Sequence, residues 1–258
     1  MKKSAKIGCI PVFLTVLLTC ADLERSNPLD PKNPESVGER TVLVEAFVNN
    51  SGSEPVINSA LNALDRLLRE YGSQSFVYLE HHIEKTPGTD PDALESSLAR
   101  YVSYEPVTNR QGLPDVFFDG SIRRIQGASD ADIAYSRYSE SLEQRLSVPS
   151  DFTVEAMATL REDHIHVAAD IARLGRGETD DVMIYVTAVE RLSDSQRQIV
   201  RLFIPAKMVG NIKSAEIESV EAEIPVHSDW QLDRTHVVLI VQNSRTFEVY
   251  KCVQTTVR

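Results

Sequence analysis

Two patterns of hydrophobic and polar positions divide the chain near residue 148. Before it, short apolar runs alternate with segments whose apolar residues recur every three or four positions, which is typical of strands alternating with amphipathic helices. After it, short β-rich runs follow one another without such helices, and several alternate cleanly, as residues 247–253 do. The pattern predicts an α/β domain over residues 41–148 and an antiparallel β-sandwich over residues 149–258.

The first half is predicted to have the order β-α-β-α-β-β-α. Its predicted elements are a strand at 41–47, a helix from Ile57 to Tyr71, a buried strand at 76–79, a helix opened by Asp90 and Pro91, a hairpin with a two-residue turn at Asp119-Gly120, and a helix capped by Ser129. The strand at 41–47 is mostly apolar, which indicates burial on both faces.

Seven strands are predicted in the second half, at 152–160, 165–174, 182–189, 199–203, 217–224, 237–241 and 246–253. The acidic run at 178–181 is predicted to be a solvated turn leading into a strand. For Trp230, a place in the core is favoured over a role as a contact residue.

The N-terminus has the features of an export signal. Lys2 and Lys3 precede an apolar run of 12 residues from Ile7 to Leu18. A bilayer-spanning helix needs about 20 apolar residues, so this run indicates a signal peptide. Residues 17–20, Leu-Leu-Thr-Cys, resemble the cleavage and acylation site of bacterial lipoproteins. The resemblance implies a signal peptide at 1–19 and a lipid on Cys20, whereas an ordinary secretory signal with a chance cysteine is the alternative.

The acidic composition argues against electrostatic adhesion to anionic lipid, so a link to the membrane is expected to be covalent. It also argues against nucleic acid as a partner. The net charge is −11, and removing residues 1–19 lowers it to about −14. Nucleic-acid affinity depends on Lys and Arg neutralising phosphates. The resemblance makes residue 20 a lipidated cysteine, and the three prolines and few apolar residues in the rest of residues 20–40 indicate a polar tether after it. Cys252 would be the one cysteine left in the folded part, and its strand pattern predicts a small buried hydrophobe.

The first half resembles the thioredoxin fold. The resemblance rests on the element order and on the run Gly112-Leu113-Pro114, followed by Val116-Phe117-Phe118-Asp119-Gly120. It implies that Pro114 is the cis-proline of that fold. It also places Ser51 and Glu54 at the two positions of the redox Cys-x-x-Cys. Neither residue supports thiol–disulfide chemistry, so a redox-inactive domain is predicted.

Ser51 and Glu54 also match a capping box, in which each side chain bonds to the backbone of the other. In the alternative, Pro55 is the first helical residue and Glu54 its N-cap. The whole layout is similar to that of the twenty-eight-kilodalton outer-membrane lipoprotein family. Glu45-x-Phe47, the run 114–120 and the strand 237–243 carry this resemblance.

Two histidine pairs have spacings that raise the question of metal binding, and neither pair is predicted to be a metal site. His81 and His82 are adjacent on a likely strand end and point to opposite faces, so they cannot bind one metal without a bend. Exposed surface positions are therefore favoured for both over a metal site. His164 and His166 share a strand face, but zinc needs a third or fourth ligand, and a solvated face is favoured.

No cofactor, metal or catalytic residue is predicted. The leading hypothesis is a non-enzymatic, lipid-anchored envelope protein that binds a polypeptide or ligand in a groove near Ser51, Glu54, Leu113 and Pro114. A thiol-independent or metal-dependent envelope enzyme and a structural docking module of a surface assembly are the alternatives.

Overall fold

The computed structural model describes residues 33, 35–49, 54–84, 88–104, 112–193 and 195–258. Its strands are β1 (Val42–Val48), β2 (Phe76–His82), β3 (Asp115–Phe118), β4 (Arg123–Gln126), β5 (Phe152–Arg161), β6 (His164–Arg173), β7 (Glu178–Arg191), β8 (Gln198–Lys213), β9 (Ile217–Pro225), β10 (Thr235–Asn243) and β11 (Val249–Thr256). Its α-helices are α1 (Pro55–Tyr71), α2 (Glu95–Ser103) and α3 (Ala131–Leu146), with a short 3-10 helix at Leu232–Arg234. The predicted element order before residue 148 and the seven strands after it are confirmed.

The strands before residue 148 form the mixed part of a sheet. β1 pairs in parallel with β2 and antiparallel with β3, and β3 pairs antiparallel with β4. A parallel pair needs a crossover, which α1 supplies. The apolar stripe of α1 packs with α3 on one face of the sheet, where Val44, Leu64, Tyr78, Phe118 and Leu142 share a buried core.

The second half contains two antiparallel layers. β5, β6 and β9 form a three-stranded sheet in the order β5-β6-β9, and β7, β8, β10 and β11 belong to a larger sheet. The core between the layers takes alternate residues from both, such as Ile165, Val167, Val186 and Leu239. Trp230 belongs to this core and is 9% exposed, so its predicted place in the core is confirmed.

The two halves share one sheet. β2 pairs with β8 at Glu80 and Ile199, so the larger sheet has eight strands in the order β11-β10-β7-β8-β2-β1-β3-β4. A buried cluster combines apolar residues of both halves: Leu43, Val77, Leu79, Val189, Val200, Phe203, Val238, Ile240, Val249 and Cys252. Residue 148 therefore separates two kinds of secondary structure that share a hydrophobic core.

The last residues of the predicted tether pack against the fold. Gly38 and Ser150 form a β-bridge. The Gly38 nitrogen lies 2.7 Å from the Ser150 carbonyl oxygen, and the Ser150 nitrogen lies 3.0 Å from the Gly38 carbonyl oxygen. Arg40 donates from Nε to the Val148 carbonyl at 2.7 Å and from Nη1 to Asp119 Oδ2 at 2.7 Å. The expectation of an unpacked tether up to residue 40 is wrong here, because Arg40 finds a buried carboxylate distant in sequence. Residues 1–32 lie outside the described part of the chain.

Two predicted helix starts are wrong. α2 begins at Glu95 with Leu94 as its N-cap, because the Asp90 carboxylate is bonded to His82 and to the Asp92 N–H. α3 has Asp130 as its N-cap in place of Ser129, and the Asp130 side chain accepts two hydrogen bonds from the first-turn backbone.

Two turn predictions also differ from the structure. The hairpin of β3 and β4 is present, but Phe118 pairs with Arg123, so its loop spans the four residues 119–122. Asp119 and Gly120 have φ values of 50° and 69°, and Gly120 bridges to Glu248 of the second half. The acidic run 178–181 forms the start of β7, where its register shifts against β8.

Candidate binding edge and its buried ionic networks

Those predicted site residues that the structure describes, Glu54, Leu113 and Pro114, lie at the end of the sheet where the C-terminus of β1 is found. This end of the strands is called the Leu113 edge. Glu54 is the exposed N-cap residue of α1, and Pro55 is its first helical residue. Glu54 makes no side-chain capping bond, so the helix starts as in the Pro55 alternative. Ser51, the other member of the predicted capping box, lies outside the described residues, as does Cys20.

Leu113 and Pro114 lie at this edge, directly before β3. The Leu113–Pro114 peptide bond is cis, so the expected geometry at Pro114 is confirmed. β3 pairs Asp115 with Phe47, near the end of β1, and the Pro114 carbonyl accepts from the Gly127 N–H at 2.8 Å. Neither the N–H nor the C=O of Leu113 bonds to another residue in the described part of the chain. This edge therefore presents a backbone donor and a backbone acceptor that the described fold does not use.

An aromatic cluster supports the loop from one side. The Leu113 side chain packs against a buried group that contains Phe47, Tyr101, Tyr104 and Phe117. The rings of Tyr104 and Phe117 stack with centroids 4.6 Å apart, and the rings of Phe47 and Phe117 meet edge to face at 5.6 Å. Such pairs add to the stability that burial of the rings supplies, so Leu113 packs against a well-ordered part of the core.

A buried carboxylate, that of Asp115, also holds the residues beside Leu113. Asp115 accepts from the Tyr101 hydroxyl at 2.8 Å and from Arg124, whose Nη2 lies 2.7 Å from Oδ2. The Gly112 N–H donates to the Tyr101 hydroxyl at 3.2 Å, and Gln126 Nε2 donates to the Gly112 carbonyl at 3.0 Å. Burial raises the pKa of Asp115 although Arg124 and Tyr101 oppose the shift. The residues flanking Leu113 are thus fixed by α2 and β4.

A second carboxylate, that of Glu45 on β1, is buried on the face of the sheet where α2 supplies its partner Arg100. Arg100 forms a fork on it, with Nε 2.8 Å from Oε1 and Nη2 3.0 Å from Oε2, and the Tyr104 hydroxyl donates to Oε2 at 2.5 Å. His81 Nε2 lies 3.4 Å from Oε1. Burial raises the pKa of Glu45, but Arg100 and His81 outweigh it and hold that pKa well below its usual range. Glu45 is therefore an ionised carboxylate without solvent contact.

Arg100 connects α2 to the second half of the chain. Its Nη1 donates to Gln242 Oε1 on β10 at 2.7 Å, and its guanidinium carbon lies 5.0 Å from the Tyr185 ring centroid and 4.8 Å from that of Phe203. Cation–π contacts of this kind gain strength when they are desolvated. The network thereby ties the layer that carries Leu113 to β7, β8 and β10.

The prediction that His81 and His82 are exposed is wrong. They are 0% and 3% exposed, respectively, because β2 lies inside the eight-stranded sheet and both of its faces are covered. Burial lowers the pKa of His81, and the nearby Glu45 carboxylate only partly offsets this. The two side chains do point to opposite faces, as predicted, since each enters a different network.

His82 lies between two buried carboxylates. Its Nδ1 is 2.9 Å from Asp90 Oδ2 and its Nε2 is 3.0 Å from Glu80 Oε1, and Arg197 Nη1 lies 3.1 Å from both oxygens of Glu80. Burial lowers the pKa of His82, but the two carboxylates outweigh it and raise that pKa. The arrangement is a desolvated chain of alternating charges.

The ionic network around His82 includes three side chains that are close enough together to bind one metal ion. Ligand atoms of His82, Asp90 and Asp92 lie within 4.8 Å of one another. However, both His82 nitrogens already face carboxylates, and Asp92 accepts from Arg201 at 2.8 Å. These contacts account for the group as an ion-pair network that fixes the loop after β2.

The histidines of β6 have separate acidic partners. His164 Nδ1 lies 2.6 Å from Asp163 Oδ1, and His166 Nδ1 lies 2.7 Å from Glu223 Oε1. Both are partly exposed, in accordance with the predicted solvated face. Neither belongs to a three-ligand group within the described ranges.

Cys252 lies in the core shared by the two halves. It is 0% exposed, and burial raises the pKa of its thiol above the ordinary value. Its complete burial confirms the predicted role as a small buried hydrophobe. A desolvated neutral thiol is also a poor nucleophile. None of the helices in the described residues is long and apolar enough to cross a bilayer.

Comparison with known proteins defines the fold but no family. No protein family matches the sequence, and no curated protein matches it. Among solved structures, HBP35 of Porphyromonas gingivalis superposes with a TM-score of 0.60 at 9% identity, covering 85% of this chain and 76% of that one. A structural-genomics target from Agrobacterium tumefaciens gives a TM-score of 0.54 at 18% identity and covers 84% and 95%, respectively.

A third similarity is weaker. A domain of the outer membrane lipoprotein Omp28 from Porphyromonas gingivalis gives a TM-score of 0.34 at 16% identity, covering 42% of this chain and 89% of that one. A score of this size does not establish a shared fold. The first two similarities show that this chain has the fold of those proteins, and their identities are too low to transfer a function.

Proposed function

We propose that this protein is a lipid-anchored bacterial envelope protein whose first half is a redox-inactive thioredoxin-like domain that binds an extended polypeptide at the Leu113 edge. The order β-α-β-α-β-β-α, with strands in the order β2-β1-β3-β4, supports the thioredoxin-like assignment. Glu54 at the start of α1 replaces the second redox cysteine of the resembled motif, which supports a binding role in place of thiol chemistry.

The observation that carries the binding role is the unused backbone of Leu113. Its N–H and C=O have no partner among the described residues, while Asp115, Tyr101 and Gln126 hold the loop around it in place. An extended peptide binds such an edge by main-chain hydrogen bonds, and a preformed edge lowers the entropy cost of binding. The partner is therefore proposed to be an unstructured segment of another envelope protein.

The binding role is tested with purified residues 21–258 and an array of unstructured decapeptides. Leu113→Pro removes the backbone donor, and one hydrogen bond is worth about 0.5–1.5 kcal/mol, so bound peptides should lose roughly two- to tenfold in affinity. Leu113→Ala is the matched control, because it keeps the N–H and should retain most of the affinity. Equal affinity of wild type and Leu113→Pro would contradict backbone recognition at this edge.

The proposed anchor rests on the lipoprotein-like run Leu17-Leu18-Thr19-Cys20. Cys20→Ser removes the acylated thiol, so the protein should leave the membrane fraction of cells. Cys9→Ser, within the apolar run of the signal peptide, is the control and should leave the protein membrane-bound. A Cys20→Ser variant that stayed with the membranes would disprove the lipid anchor.

A further inference from the structure

A polar cavity lies at the other end of β1 and β2 from Leu113. It has a volume of about 430 Å³ and lies between the end of α1, the start of β2, and strands β7, β8, β10 and β11. Its polar lining includes Arg69, Ser73, Arg191, Gln198, His236 and Gln254. A neighbouring depression of about 370 Å³ shares Ser73, His236 and Gln254 and continues it along β11. Ligand pockets of small molecules begin at about 300 Å³, so the cavity has the size of a binding site.

The charge of this lining is opposite to that of the whole molecule. The chain carries a net charge of −11, yet no aspartate or glutamate lines either cavity among the described residues. Arg69 and Arg191 line the first cavity and Lys251 lines the second. Arg69 is ion-paired with Asp65 on α1, whereas Arg191 is exposed at the end of β7. A pocket lined by one sign of charge concentrates ligands of the other sign.

Gln198 gives an independent indication of a ligand. This residue is 6% exposed and lines the cavity, and its Oε1 is buried without a hydrogen-bond partner in the described part of the chain. A buried acceptor left unpaired loses its hydration without a replacement bond, so native proteins rarely leave one. Because Oε1 itself has almost no accessible surface, a rotation of the Gln198 amide would be needed to present it to a hydroxyl or N–H donor in the cavity.

We propose that this cavity binds a small organic anion that carries a carboxylate or phosphate group together with a hydroxyl or N–H donor. Arg191, aided by Arg69, holds the anionic group, since guanidinium groups match the planar fork of a carboxylate or phosphate. Gln198 accepts the hydrogen bond of the donor group. The proposal is independent of the peptide-binding role, because the seven residues of β1 place the two sites about 20 Å apart.

The ligand class is tested by isothermal titration of purified residues 21–258. The panel comprises glycerate, gluconate, glucuronate, glycerol 3-phosphate and glucose 6-phosphate, with glucose and inorganic phosphate as single-feature probes. At least one hydroxylated anion should bind, and glucose and phosphate should each bind at least tenfold more weakly than it does. The carboxylate and phosphate arms distinguish the two possible anionic groups. Failure of the whole panel, or equal affinity for glucose or inorganic phosphate, would overturn the proposal.

The site is assigned with variants at the lining. Arg191→Gln should lower the affinity for the anion at least tenfold, because it removes the exposed charge of the cavity without disturbing a buried contact. Gln198→Met keeps the size of the side chain and should also weaken binding, with a melting temperature measured in parallel to confirm folding. Arg176→Gln is the control at an arginine that is 76% exposed elsewhere and should bind as wild type does. Unchanged affinity in Arg191→Gln would refute the site even if Gln198→Met failed to fold.

Discussion

At the scale of single residues, Glu45 shows how a buried charge holds elements together. Its carboxylate, with no exposed surface, meets the guanidinium of Arg100 and the hydroxyl of Tyr104. A desolvated charge is tolerated only when it is paired and hydrogen-bonded, and both conditions hold here. Arg100 extends the pairing to Gln242 on the far side of the interface. The effect of losing the carboxylate should therefore reach both halves of the chain.

Glu45→Gln should lower the free energy of unfolding by about 3–5 kcal/mol, because it leaves Arg100 buried without its counter-charge. Urea denaturation followed by circular dichroism measures the change. The control is Asp132→Asn, which breaks an exposed pair with Arg66 and should change the stability little. Similar losses in the two variants would show that burial of the pair has no special weight.

His82 should titrate above its ordinary pKa near 6.5, because Glu80 and Asp90 stabilise the imidazolium more than burial destabilises it. With a folded pKa above the unfolded one, this group stabilises the fold in full below pH 6.5. That stabilisation is lost as the pH rises through the folded pKa.

Proton NMR titration of the His82 ring measures its pKa directly. Asp90→Asn removes one of the two carboxylates and should move the pKa of His82 downward, whereas the exposed control Asp229→Asn should leave it in place. A wild-type pKa below 6.5 would refute the ionic description of this network.

These residue networks could be predicted only in part from the sequence. A glutamate inside the apolar run Val-Leu-Val-Glu-Ala-Phe-Val indicates that some partner must enter the core. The partner, Arg100, lies 55 positions away on a helix, and no local pattern connects the two. The same holds for His82, whose burial depends on β8 covering the edge of β2. Pro114 was identifiable because its loop and hairpin are contiguous in sequence.

At the scale of elements, the sequence predicts strands well where apolar and polar residues alternate regularly. β8 shows where the pattern fails: the predicted strand 199–203 extends in the structure from Gln198 to Lys213. Pro205 and Gly210 interrupt the apolar pattern and are normally unfavourable inside strands. They are accommodated by register shifts between β7 and β8, which pair along most of their length. Such irregular pairing depends on the partner strand and is absent from the local sequence.

Gly120→Ala should strongly destabilise the protein, because the loop between β3 and β4 packs directly on the second half. A Cβ at Gly120 would lie 1.8 Å from the Phe247 carbonyl oxygen, so backbone would have to move. Gly127→Ala is the matched control: its φ of 73° is similar to the 69° of Gly120, but a Cβ there meets nothing within 4 Å. The control should lose only about 1–2 kcal/mol from its left-handed backbone. Equal losses in urea denaturation would contradict the close approach.

At the scale of the whole molecule, the boundary near residue 148 is a change of architecture inside a shared core. Leu43 and Leu79 of the first half are buried together with Val238 and Ile240 of the second. The composition along the chain revealed the change from α/β to β structure. It could not reveal the pairing of β2 with β8, since one backbone contact between distant strands leaves no periodic trace.

The shared core predicts a single cooperative unfolding transition. Trp230, the one tryptophan of the chain, lies in the core of the second half, whereas the α-helices of the described residues lie between 55 and 146. Tryptophan fluorescence and helical circular dichroism therefore report on different halves. Their urea transitions should coincide, as two-state behaviour requires. Separate midpoints would mean that the halves unfold independently.

The most direct test of the proposed function is photo-crosslinking at the Leu113 edge in intact cells. A benzoylphenylalanine replaces Leu113, and a second variant carries it at Met157, which is 55% exposed on the three-stranded sheet. If Leu113 lies in a peptide-binding site, covalent adducts with a defined envelope polypeptide should form at position 113, and none with that polypeptide at position 157. Absence of a polypeptide adduct at 113, or the same adducts at both positions, would contradict it.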